Sequence, residues 1–262
     1  MMNLRTFLFL ACVSLFSGSH AQDLSGPLPA DPNTVVGKLP NGITYYIRHN
    51  EEPKDRASFY IIRNAGALLE NDDQNGLAHF LEHMSFNGTK NFPGKGIIST
   101  LEKYGVTFGG NINAYTAQNE TVYNISAVPT TDVKLLDTCL LILHDWSYYL
   151  TLDGDEIDAE RGVIAEEWRT RRTPQFRLLA QTFPVLFKGS KYAVRDVIGS
   201  LDVIKNFKHQ TIRDFYHEWY RTDLEAIAVV GDFDVSKSVF DRISPFAFTS
   251  MIVAGYPHHA NK

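Results

Sequence analysis

Three residues in one short run have the types and spacing that metal-assisted chemistry needs. They are His79, Glu82 and His83, within Asn75-Gly76-Leu77-Ala78-His79-Phe80-Leu81-Glu82-His83-Met84-Ser85-Phe86. At about 100° per residue on a helix, His83 lies about 40° to one side of His79 and Glu82 about 60° to the other, so the three share a face. Leu77, Phe80, Leu81 and Met84 fall on the opposite face and fill the core stripe, so packing does not require the histidines. Two imidazoles one turn apart can bind a single divalent metal, and a carboxylate beside them can take a proton from the water that the metal activates. The order His-x-x-Glu-His inverts the commoner zinc-helix motif.

A catalytic zinc needs a third protein ligand and an open position. The acidic stretch from Asp153 to Trp168 offers Asp153, Glu156 and Glu160. Ile157, Ile164 and Trp168 define its apolar stripe, and Asp153 and Glu160 fall within about 60° of that stripe, where a bare carboxylate would be expensive. Glu166 and Glu167 lie further round and read as a solvated face, or as ion-pair partners of Arg169 to Arg172. Cys139 is a softer donor, but its surroundings, Thr138-Cys139-Leu140-Leu141-Ile142-Leu143, read as core. Spacing alone leaves the three carboxylates undecided.

The elements that must position these residues follow from periodicity. Residues 43–50 and 57–66 are β-branched and aromatic runs separated by Glu51-Glu52-Pro53-Lys54-Asp55, which predicts two strands joined by a loop. Helical spacing covers 75–86 and 94–104, the latter closed by Gly105. Strand character returns over 111–128. Helices are then predicted over 130–149, 153–172 and 209–220, and a short strand over 225–230 closed by Gly231. Strands and helices mix without strict alternation, which predicts an α+β fold with a mixed, mainly antiparallel sheet packed against helices.

The chain has 262 residues, 44% hydrophobic and 21% charged, enough for a full core. Lys and Arg total 25 against 30 for Asp and Glu, a net charge of -5, and no basic block is present, which argues against a nucleic-acid partner. Residues 1–21 carry Arg5, an apolar run from Phe7 to Phe16, and Ser19 and Ala21 framing a cleavage site. They read as a secretory signal, followed by a linker over 22–33. The apolar run is about half of what a bilayer span needs, so the expectation is an exported chain, periplasmic or secreted, with no stable membrane span. The alternative is a lipoprotein form cut before Cys12. Loss of Cys12 would leave Cys139 without an internal disulfide partner.

These residues resemble the N-terminal domain of the insulinase/pitrilysin family of zinc peptidases, the inverzincins, which includes the mitochondrial processing peptidases. His79-Phe80-Leu81-Glu82-His83 matches the family motif, and Glu160-Arg161-Gly162-Val163-Ile164 matches the run in which a ligand glutamate follows; Glu160 lies 77 positions after His83. Further matches are Leu39-Pro40-Asn41-Gly42, Asn87-Gly88-Thr89, Asn113-Ala114-Tyr115-Thr116 and Val230-Gly231-Asp232-Phe233, so the resemblance covers about residues 34–240. It implies one zinc held by His79, His83 and Glu160, with Glu82 as the general base and Asp153 as an acidic group behind the ligands. The family position matching Asp153 usually holds Glu. The resemblance also implies an edge strand in which Asn113, Ala114 and Tyr115 contact the backbone of a peptide substrate, a β-augmentation. Read from the residues alone, Asn113 after Gly109-Gly110 is a turn residue.

The resemblance further implies a second, similarly folded half that closes over the substrate, as a domain or subunit. No match to it follows Ile243. The expected organisation is a peptidase domain over 34–243, with Ser244-Pro245 breaking a helix, then an unmatched tail over 244–262. The expected activity is hydrolysis of peptides or unfolded polypeptides, weak without the second half. Two alternatives stand beside it: a substrate-holding subunit with little or no activity, and a metal-dependent lyase of related fold with Cys139 as third ligand.

Overall fold

A computed structural model describes residues 30–233. The signal, most of the linker and the tail after Phe233 lie outside the described residues, so the expectations for them are not addressed. Contacts divide the chain after Pro32, and the fold described is that of the unit beginning at Asn33.

Six strands form one sheet: β1 (Thr34–Lys38), β2 (Thr44–His49), β3 (Arg56–Arg63), β4 (Ile112–Thr116), β5 (Thr121–Pro129) and β6 (Glu225–Gly231). Their spatial order is β1-β2-β6-β3-β5-β4. Four of the five pairings are antiparallel and only β2 with β6 is parallel, so the α+β reading with a mainly antiparallel sheet is correct. β3 and β6 alternate buried with half-buried residues along their whole length, the period of two that a pleated strand imposes. The sequence reading missed β1.

The helices are α1 (Leu77–Met84), α2 (Gly96–Glu102), α3 (Val133–Tyr148), α4 (Gly154–Arg171), α5 (Pro174–Leu186), α6 (Leu201–Asn206) and α7 (His209–Trp219). α3 packs on β3 and β5, α1 on β4, and α4 lies against α1. α5 and α6 were not predicted. α5 buries none of its residues within the described chain and exposes Leu178, Leu179, Val185 and Leu186.

An eight-residue helix such as α1 is too short to stand on propensity. Packing holds it: Leu77, Phe80, Leu81 and Met84 are all buried, on the order of 10 kcal/mol of apolar transfer together. Its N-terminus is met by Glu70, which accepts from Gly76 N and Ala78 N at 2.9 Å each. Gly76 (φ 108°) touches Gly199 (φ 76°), where a Cβ on Gly199 would stand 2.2 Å from Gly76 Cα, so the close approach requires glycine at 199. Beyond its C-terminal turn, Ser85 O accepts from the buried Trp146 ring, and Ser85 Oγ donates to Tyr123. Tyr123 reaches Tyr220, whose ring lies under Arg63, and Arg63 forms a fully buried ion pair with Glu225 at 2.7 Å. A polar chain thus ties α1 to the sheet.

Candidate metal centre

α1 and α4 build the site between them. The His79 and His83 rings are 4.7 Å apart at their centroids. Their Nε2 atoms lie 3.7 and 3.3 Å from one oxygen, Oε2 of Glu167. His79, His83 and Glu167 bring one ligand atom each within 4.8 Å of one another, the one such cluster among the described residues. Two ligand atoms of a tetrahedral zinc at its usual bond lengths stand about 3.4 Å apart. Two imidazoles and a carboxylate are also donors that zinc accepts, so the arrangement fits the metal that the sequence implies.

Glu160, expected as the third ligand, sits elsewhere. Its Oε1 is 2.8 Å from Nδ1 of His83 and its Oε2 accepts from Asn87 at 2.6 Å. The two nitrogens of an imidazole point in divergent directions, so a carboxylate bonded at Nδ1 does not reach a metal on Nε2. Glu167 follows Glu160 by two turns on the same helix face, and its second oxygen pairs with Arg171 at 2.5 Å. Part of the sequence reading of Glu167, as an arginine partner, is therefore present; the other half of its carboxylate faces the histidines.

Asp153 also departs from expectation. α4 begins at Gly154, so Asp153 is its N-cap, accepting from the amides of Asp155 and Glu156, and it is exposed. A wheel drawn through Asp153 does not apply, because that residue is not in the helix. Cys139 is fully buried in α3, outside the cluster, and burial pushes its thiol up to about 12.

Glu82 lies on the same face of α1. Burial pushes its carboxyl above the usual range, against a hydrogen bond to its Oε2 from the hydroxyl of Thr116 at 2.6 Å. The histidines split. Burial, then the neighbouring His83, holds His79 low, whereas for His83 the bonds to Glu160 and Glu167 outweigh burial and raise it. Glu167 is held low, chiefly by His83. On Glu160 the bonds from His83 and Asn87 overcome the upward push of burial.

β4 is one of the two edge strands of the described sheet, paired only with β5, and its last residue is the Thr116 that touches Glu82. Asn113 and Ala114 are half-buried and Tyr115 is exposed. Asn113 is a strand residue of β4 paired with Asn124, not a turn residue, and, turned so that its nitrogen donates, its amide lies 3.3 Å from the carbonyls of Ile112 and Gly109. Besides Glu167, read from the sequence as a solvated or arginine-paired residue, sequence reasoning passed over Thr116, quoted only as part of a matching run.

The family model described as Insulinase (Peptidase family M16) matches residues 45–182, and the chain belongs to that family. It is 40% identical over 236 residues to the probable zinc protease PqqL of Haemophilus influenzae, a match covering 89% of this chain and 25% of that protein. The crystal structure of the periplasmic protease PqqL from Escherichia coli superposes with a TM-score of 0.80 at 38% identity, covering 85% of this chain and 24% of that one. The first half of the same protease, solved separately, gives 0.79 at 39%, covering 84% and 47%. The chain spans about a quarter of the length of the curated relatives it matches. Those relatives are named zinc proteases, which supports a metallopeptidase at the level of the family.

Proposed function

We propose that this chain is the metal-binding domain of a zinc peptidase, with His79, His83 and Glu167 as ligands and Glu82 as general base. The observation that carries the reading is the convergence of both Nε2 atoms on Oε2 of Glu167, with the Glu82 carboxyl on the same helix face. When bound, zinc supplies Lewis-acid activation of water and of the scissile carbonyl. Glu82 would accept the proton of the attacking water as the new C–O bond forms and the carbonyl oxygen takes up negative charge, and would then deliver that proton to the amide nitrogen as the peptide C–N bond breaks. Burial that raises the Glu82 carboxyl suits a group that must both take and give a proton near neutrality. Thr116 holds one Glu82 oxygen and leaves the other for water. Glu160 accepts from His83 and so directs its Nε2 toward the metal.

The substrate class is a peptide or unfolded polypeptide segment. Its backbone adds to β4 beside Asn113, Ala114 and Tyr115, a mode that reads main chain rather than sequence. A second homologous domain completes the enzyme, a reading supported by relatives about four times longer than the match. Export to the periplasm is the reading supported by the signal-like residues 1–21 and by a relative titled periplasmic; no helix among the described residues is long and apolar enough to cross a membrane. The lyase alternative loses support, since Cys139 lies in the core. The substrate-holding alternative is disfavoured by the intact His79, Glu82 and His83.

Cleavage of an unfolded peptide tests the reading, with the second domain supplied. Dialysis against a chelator stops cleavage and about one equivalent of zinc restores it. Cleavage that continues unchanged in chelator overturns the proposal.

A further inference from the structure

Beyond the groups that face the metal position, a line of buried polar contacts runs away from it. Asn87 is only 3% exposed and lies one turn after His83, where α1 has just ended. The two side chains, at i and i+4, grip the two oxygens of one carboxylate: His83 Nδ1 on Glu160 Oε1, and Asn87 Nδ2 on Glu160 Oε2. Lys95 donates to the Asn87 carbonyl oxygen from the start of α2. That contact fixes which end of the amide is which, since an ammonium can only donate and the NH2 must then face Glu160. His79 has no such support; its Nδ1 is buried without a partner among the described residues.

We propose that Asn87 is a positioning residue for the metal, holding Glu160 so that its other oxygen receives the Nδ1 proton of His83 and leaves Nε2 free to bind zinc, with Lys95 setting the orientation of the amide. The inference rests on the reading that His79, His83 and Glu167 hold the metal. Without the Asn87 amide, Glu160 keeps its charge but loses the donor that fixes its rotation, and the imidazole is no longer held in one tautomer and one plane. Groups that orient metal-bound histidines in this way are worth about 10 to 100-fold in metal affinity.

The test is zinc affinity, read by competition with a chromophoric chelator at fixed pH, on the whole chain. Asn87→Ala is expected to weaken zinc about 10-fold. In a Glu160→Gln background the same substitution is expected to add little, because its effect passes through Glu160. Lys95→Met, an exposed change that leaves the core intact, is expected to weaken zinc in the same direction by a smaller factor. Thr89→Val, two residues after Asn87, is the structural control: its hydroxyl donates to the buried Asp145, so the change lowers the melting temperature without moving zinc affinity. In the zinc-loaded protein the Nδ1 proton of His83 gives a slowly exchanging resonance that Asn87→Ala broadens or loses. Wild-type affinity in both Asn87→Ala and Lys95→Met, or full additivity with Glu160→Gln, overturns the proposal while leaving the site standing. Zinc retained at full stoichiometry by the His79→Ala, His83→Ala double variant overturns the site, and this proposal with it.

Discussion

Glu167→Gln and Glu160→Gln, made separately, distinguish a carboxylate that meets the metal from one that holds a ligand. Oε2 of Glu167 lies 3.3 and 3.7 Å from the two Nε2 atoms, whereas both oxygens of Glu160 are taken by His83 Nδ1 and Asn87. A structural zinc is bound with about 10 to 16 kcal/mol, so one ligand of four is worth about 2.5 to 4 kcal/mol, on the order of 10² to 10³ in affinity. A group behind a ligand is worth about 10 to 100-fold. Glu167→Gln should therefore lose about ten times more affinity than Glu160→Gln. The assay is zinc competition with a chelator at constant pH, with circular dichroism showing both variants folded. An equal or larger loss for Glu160→Gln would refute the assignment and restore the ligand set implied by the sequence resemblance.

Three further outcomes follow from particular contacts. Thr116→Val removes the hydroxyl that holds Glu82 Oε2, and with the second domain present peptide turnover should fall about 10-fold with zinc content unchanged; an unchanged rate excludes Thr116 from positioning the base. Glu225→Ala strands the fully buried Arg63 guanidinium and should cost about 3 to 5 kcal/mol in denaturant unfolding, whereas a cost under about 1 kcal/mol would mean that the pair is not buried in solution. The chain alone should cleave a fluorogenic peptide far more slowly than the chain supplied with a second family domain at the same zinc concentration, because groups that hold the developing oxyanion are each worth about 10² to 10³ in rate. Equal rates would place all the machinery within this chain.

What the sequence carried was local. The apolar and polar faces of α1 follow from helical periodicity of about 100° per residue, and Leu77, Phe80, Leu81 and Met84 are buried as that pattern requires. The third carboxylate is not local. Glu160 and Glu167 are separated by seven residues, about 20° of rotation, so both face α1, and the crossing of the two helices decides which one meets Nε2. The arginines after Glu167 offered a sufficient surface explanation, and Arg171 does take one of its oxygens, which concealed the other. Asp153 failed on a boundary: the periodic pattern extends one residue past the place where the backbone becomes helical. β1 pairs with its neighbour in sequence but is mostly exposed, so Val35 and Val36 give no buried alternation. The parallel pairing of β2 with β6 joins residues some 180 positions apart, which no window along the chain can register. α5 carries Pro184 inside it, a residue that reads as a helix breaker, and buries none of its apolar residues within the described chain.

Peptide hydrolysis at this centre is tested most directly by Glu82→Gln, with zinc content and turnover of an unfolded peptide measured on the same sample in the presence of the second domain. The amide keeps the shape of the side chain and cannot accept a proton. The expected result is about one zinc per chain and loss of hydrolysis. Undiminished hydrolysis with zinc in place would contradict the account and require another base.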